Sequence, residues 1–91
     1  MTNYEKHLQE HLINPLFKKE YERYSLRIEL AYQMSQLRKK KKMSQSGLAK
    51  KIGTTQSVVA RMEAGKQNFS VDILSKVADA LNCKINVGFS N

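Results

Sequence analysis

Apolar residues recur along this chain at two periods, and the change from one to the other divides it. From Phe17 the stripe Tyr21, Tyr24, Ile28 and Ala31, with Leu26, Leu30, Met34 and Leu37 in an adjacent row, follows the spacing that keeps side chains on one flank of a helix. Asn14-Pro15 starts that helix, since asparagine caps well and proline is tolerated in a first turn; Ser25 marks a candidate kink. Ahead of it, Tyr4, Leu8, His11 and Leu12 share one side of a shorter helix over Asn3–Leu12. Three more helical faces follow: Leu48, Ala49 and Ile52 behind Ser44, Val59 and Met62 behind Thr55, and Ile73, Leu74, Val77, Ala78 and Leu81 behind Ser70, with Asp72 favourable in that last first turn. Gly53 with Thr54, Gly65 and Asn82 supply the stops.

After Asn82 the period falls to two. Ile85, Val87 and Phe89 alternate with polar or small residues across Lys84–Phe89, as in a strand buried on one face. A lone strand leaves both edges unpaired, so it is expected to pair antiparallel with its own copy across a two-fold axis, or with a partner's sheet; the plain alternative is a frayed tail. The predicted architecture is therefore mainly α, a five-helix bundle with one short C-terminal β-strand, folded as a single domain.

The two middle helices are short and adjacent. Small or apolar residues at Ala49, Gly53, Val59 and Met62 let them cross closely around a tight turn, as a helix-turn-helix requires. The helical period turns Val59 and Met62 inward and Gln56, Ser57, Ala60 and Arg61 outward. Gln56 can pair bidentately with adenine and Arg61 with guanine, while Ser57 can reach several bases or a phosphate; Thr55 sits at the start of the same helix. Any one of these alone is an ordinary exposed polar residue, and it is the set in this frame that points to a major groove.

Charge sharpens that reading. The net charge of +8 over 91 residues is confined to one part of the chain: residues 1–37 carry five basic and five acidic side chains, whereas residues 38–91 carry eleven basic ones against Glu63, Asp72 and Asp79. A basic half joined to a neutral one suggests two partners, a polyanion for the first. The run Arg38 to Lys42 reads alone as a solvated helix end, but directly before a helix-turn-helix it reads as phosphate contact, with Lys41 and Lys42 the candidates.

Other chemistries find little support. A single cysteine, Cys83, allows no internal disulfide and fits a reducing compartment. His7 and His11 stand at helical ligand spacing without an obvious third ligand, so surface histidines are expected and no metal or other cofactor. No nucleophile–base pair, phosphate-cradling glycine loop or carboxylate pair presents itself, which argues against an enzyme and leaves no catalytic residues to name. RNA binding would want an aromatic platform for stacked bases, and none is evident. The first thirty residues hold no stretch suited to a signal peptide or a membrane span, so a cytoplasmic protein without membrane contact is expected.

The stretch Leu37–Leu81 resembles the helix-turn-helix family of phage Cro and C1 repressors, often called the XRE family. Its pattern appears here as Met43-Ser44-Gln45, Leu48-Ala49, Gly53, Thr55, Val59, Glu63 and Gly65. The resemblance implies that Thr55, Gln56, Ser57 and Arg61 read bases, that Gln45 binds phosphate at a helix start, and that Arg38 and Glu63 form a structural ion pair rather than DNA contacts. Lys66 and Asn68, just past Gly65, are placed to hold the DNA backbone on the other side. More narrowly, an extension with Asn-Pro-Leu-Phe-Lys-Lys-Glu-Tyr, a long helix into the motif and an ending Ala-Leu-Asn-Cys-Lys-Ile-Asn-Val-Gly-Phe look like HigA-type antitoxins.

That second resemblance implies an autorepressor that binds double-stranded DNA at its own promoter operator and neutralises a cognate RelE/HigB-like endoribonuclease toxin, as a homodimer joined to two toxins in a heterotetramer. The organisation expected is an extension over residues 1–36 for the toxin, a DNA-binding part over 37–82 and a dimerising strand over 83–91. Phe17, Lys18, Tyr21 and Tyr24 are the candidate toxin contacts, because residues 1–36 hold too few other apolar side chains to enclose that stripe. Ile85, Val87 and Phe89 are the candidate dimer contacts. The alternative is a plain repressor of the same family without a toxin.

Overall fold

The computed structural model describes residues 15–91, in which four helices follow one another: α1 Pro15–Lys40, α2 Gln45–Ile52, α3 Gln56–Glu63 and α4 Val71–Ala80. The last three begin on the hydroxyls expected of them. Ser44, Thr55 and Ser70 all hold extended backbone and accept from the N–H three residues on, in Gly47, Val58 and Ile73. Each bond satisfies one of the donors that a helix start leaves without an internal partner, a contribution of about 1 kcal/mol per cap.

All four helices also stop by one device. A residue with positive φ ends the turn, and the next N–H returns to a carbonyl five residues back: Met43 to Arg38 after Lys42, Thr54 to Ala49 after Gly53, Lys66 to Arg61 after Gly65, and Cys83 to Ala78 after Asn82. Asparagine and glycine adopt this conformation readily, whereas Lys42 does so against its Cβ. Gly65 is required twice over, since a Cβ there would lie 2.3 Å from Ile28 Cδ1 of α1.

The core lies where α2, α3 and α4 meet the second half of α1. Leu48, Val59, Met62 and Leu81 are its fully enclosed side chains, joined by Met34, Ala49, Ile52 and Val77, and edged by Leu37, Met43, Phe69 and Ile73. α2 packs on both α3 and α4, and α3 packs on α1. At 26 residues, or roughly 39 Å, α1 outruns these partners. It continues through Ser25 without interruption and crosses residue 36 as one helix. Its buried residues, Ala31, Met34 and Arg38, all lie in its second half, while Leu16, Tyr24 and Leu26 are mostly exposed.

Two expectations are corrected or fall elsewhere. Among the described residues there are four helices rather than five; the helix expected over Asn3–Leu12, with Asn14 and the histidine pair His7 and His11, lies outside them. The strand expected over Lys84–Phe89 is irregular backbone, because a strand needs a ladder partner and the described residues supply none. The tail instead runs beside a groove of about 260 Å³ lined by Leu30, Met34 and Leu37 of α1, Leu74 and Val77 of α4, and the tail's own Ile85 and Val87. Val87 is still 73% exposed and Phe89 wholly so.

Candidate nucleic-acid interface

Thr55 caps α3, and the burial of Val59 and Met62 sets the face that the helix turns outward. Gln56, Ser57 and Arg61 are exposed on it, Ala60 is half-buried, and Val59 and Met62 are fully buried on the opposite side. The outward set is polar, with adaptable donors and acceptors and one cation, and its start coincides with a helix N-terminus that favours anions. Thr55 accepts from Val58, which leaves its hydroxyl proton available to donate.

Behind this face runs a chain of polar contacts. Arg38 Nε and Nη2 grip Glu63 Oε2 and Oε1 at 2.6 and 3.0 Å, and Arg38 Nη1 donates to the Met43 carbonyl at 2.7 Å. Glu63 Oε1 also accepts from Gln45 Nε2 at 3.1 Å, and Gln45 Oε1 accepts from Gln56 Nε2 at 2.7 Å. The ion pair expected between Arg38 and Glu63 is thus present, bidentate, and nearly enclosed, with side chains 10% and 6% exposed. Burial alone would raise the Glu63 carboxyl, but hydrogen bonds from Arg38, Gln45 and Ser35 and the guanidinium charge outweigh it and hold the group below its ordinary value. The hydrogen bond to Glu63 raises Arg38 in turn.

Gln45, expected as a phosphate donor at a helix start, is engaged within the fold on both ends of its amide. Its amide links the buried pair to Gln56, fixing the position of that candidate reading residue. Gln45 is half-buried and Gln56 exposed, so the chain leads from the core to the surface. Lys50, to which the motif assigns no role, lines a shallow cleft between α2 and α3 with Ser46, Thr54 and Gln56, and so adds a cation beside the reading face. No local signal distinguishes it from any other solvated lysine on a helix.

On either side of α3 the remaining basic candidates are exposed: Lys41 and Lys42 in the turn before α2, and Lys66 after Gly65. Asn68 is exposed too, and its Oδ1 accepts from Arg27 Nη1 of α1 at 2.9 Å. That contact joins residues 41 apart in sequence, which no local pattern marks. Of the candidate toxin contacts, Phe17 and Tyr21 are half-buried and stacked on each other at 6.3 Å, Lys18 is exposed, and Tyr24 is 45% exposed with the Arg27 guanidinium over its ring. They are spread along the first half of α1. Among the described residues no group of acidic, histidine or cysteine side chains is assembled to hold a metal ion, and no helix is long and apolar enough to cross a membrane.

Comparison with known families matches residues 34–87 to the helix-turn-helix family HTH_3. Neither the curated proteins nor the solved structures give a match. The matched segment begins inside α1, takes in α2, α3 and α4, and covers more than half of the chain. With two capped helices crossing at Gly53 and a polar face turned outward on the second, the chain belongs to the HTH_3, or XRE-type, family of DNA-binding helix-turn-helix regulators.

Proposed function

We propose that this regulator represses its own promoter and is the antitoxin of a toxin–antitoxin pair. The observation that carries the DNA reading is the exposed set Gln56, Ser57 and Arg61 on α3, with Gln56 tied through Gln45 to a buried ion pair, so that one reading side chain is held in place before DNA arrives. Thr55 completes the base-contacting set, and Gln45, Lys41, Lys42, Lys66 and Asn68 hold phosphates around it. A palindromic operator with half-sites about one helical turn apart requires two α3 helices on one side of the duplex. Antiparallel pairing of Ile85, Val87 and Phe89 from two copies supplies that dimer, and their exposure supports it.

The antitoxin reading is supported by the part of α1 that precedes the family segment. It presents Leu16, Tyr24 and Leu26 to solvent, apolar surface outside the face that α3 turns outward, rimmed by Lys18, Lys19, Glu20, Glu22 and Arg23. A RelE/HigB-like RNA-cleaving toxin seated there on each chain of the dimer gives a heterotetramer. The test has two arms. Binding to the chain's own promoter should lose base preference in Gln56→Ala and Arg61→Ala, while Lys66→Ala weakens specific and non-specific binding alike; an unchanged specificity ratio in the first two rejects the reading face. Beside the neighbouring gene product, a chain without residues 1–24 should fail to bind it and to rescue growth. A full chain that binds its operator and no such product is a plain repressor.

A further inference from the structure

Arg27 lies ahead of the family segment, on the stretch of α1 that the helix-turn-helix pattern does not include. Its side chain nevertheless crosses to the loop that follows α3, where Nη1 donates to Asn68 Oδ1 at 2.9 Å. A guanidinium has donors only, so it accepts one orientation of the Asn68 amide, oxygen inward. The NH₂ group is left as the end that exposed Asn68 offers to whatever approaches the loop. Arg27 is itself restrained: its guanidinium carbon lies 5.7 Å from the centre of the Tyr24 ring, and one residue on, Ile28 packs against Gly65 at the root of the same loop. Its Nε is buried without a hydrogen-bond partner, a desolvation cost that the Asn68 bond and the ring must offset.

We propose that Arg27 is a positioning residue for DNA binding: it fixes the Asn68 amide so that its NH₂ donates to a backbone phosphate, and so enlists a helix segment outside the family domain in holding the duplex. The proposal rests on reading Asn68 as a phosphate contact. It differs from a direct role for Arg27 in one respect, because a neutral amide releases no counterion when it meets a phosphate, whereas an arginine does.

The experiment titrates the full chain, over a salt series, onto duplexes with and without the promoter site. Asn68→Ala should weaken binding to both duplexes roughly three- to tenfold. Arg27→Ala should do the same, and the double variant should lose no more than either single change. The slope of log affinity against log salt should stay as it was in Arg27→Ala, and Arg27→Lys, which keeps a donor-only head, should recover most of the loss. Additive losses, or a slope reduced by about 0.9, would show Arg27 meeting DNA by itself and overturn the proposal while leaving Asn68 as a contact. Full binding by Asn68→Ala removes the phosphate contact, and the proposal falls with it. Failure of Arg27→Lys to recover affinity counts against it too, since a donor-only head is all that orienting the amide requires.

Discussion

Between Arg38 and Leu81 the large apolar side chains are enclosed or half-enclosed, with Val71 the exception, whereas the two flanks of that span leave many of theirs outward: Leu16, Tyr24, Leu26 and Tyr32 on α1, and Ile85, Val87 and Phe89 on the tail. The polar atoms divide differently: inside the span the helix ends are closed by caps and stops and one buried ion pair continues through Gln45 to Gln56, while its remaining lysines and aspartates are exposed, as are most charges of the flanks. A side chain that is satisfied within the fold contributes to stability, and one that is not is available to something else. On that ground the middle of the molecule, closed by Ala31, Met34 and Leu37 of α1, is the packed unit, and the outer parts of the flanks are surfaces.

Equilibrium denaturation can break this contrast or make it sharper. The largest effect is expected at the ion pair. Glu63→Ala leaves a buried guanidinium with only the Met43 carbonyl and should cost about 3–5 kcal/mol. Its acid dependence has a definite sign. Because the folded carboxyl titrates below its ordinary value, the unfolded chain takes up the proton first; the contribution is complete above about pH 4.3 and is lost as pH falls through the lower folded value. The stability difference between the starting protein and Glu63→Gln should therefore narrow as pH drops below that point, and a difference that persists unchanged to pH 2 would contradict it.

Next comes Gly65→Ala, which combines a left-handed backbone with a collision against Ile28, for about 2–4 kcal/mol. Adding Ile28→Ala should return the steric part and leave the backbone part. If the pair of changes recovered nothing, α1 would not be packed on the loop as described. At the small end, Leu26→Ser and Phe89→Ser should alter folding stability by less than about 0.5 kcal/mol, while Phe89→Ser should weaken the pairing of tails proposed above, as read by ultracentrifugation. A marked loss of stability in either would mean that the flank belongs to the core after all.

How far the sequence announced this arrangement depended on distance along the chain. Ser44, Thr55 and Ser70 act on N–H groups three residues away, and Gly53, Gly65 and Asn82 act within one turn, so their roles were legible locally. The core of α2 to α4 followed from helical period, and the Arg38–Glu63 pair from the resemblance. Lys42 was not legible as a stop, because nothing local marks a lysine for the left-handed region; its place is held by the Met43 N–H and carbonyl, both bound to Arg38. The row Leu26, Leu30, Met34 and Leu37 reads as one face, yet Leu26 is exposed where Met34 is buried, since period does not tell where the neighbouring helices end. Alternation at Ile85, Val87 and Phe89 marks side chains that share a side, but a strand is a relation between two segments. Asn68 stands out in sequence only by its place after Gly65, and its tie to Arg27 spans 41 residues, which no local pattern marks.

The link from Gln45 to Gln56 bears on how such a protein acquires a new target. A change at Gln56 strips Gln45 of its donor and disturbs a chain that ends on a buried charge, so it carries a penalty before any base is met. Ser57 and Arg61 take no part in that chain. Drift toward a different operator, or deliberate retargeting, should therefore proceed most freely at these two positions, with Gln56 remaining the conservative letter of the address.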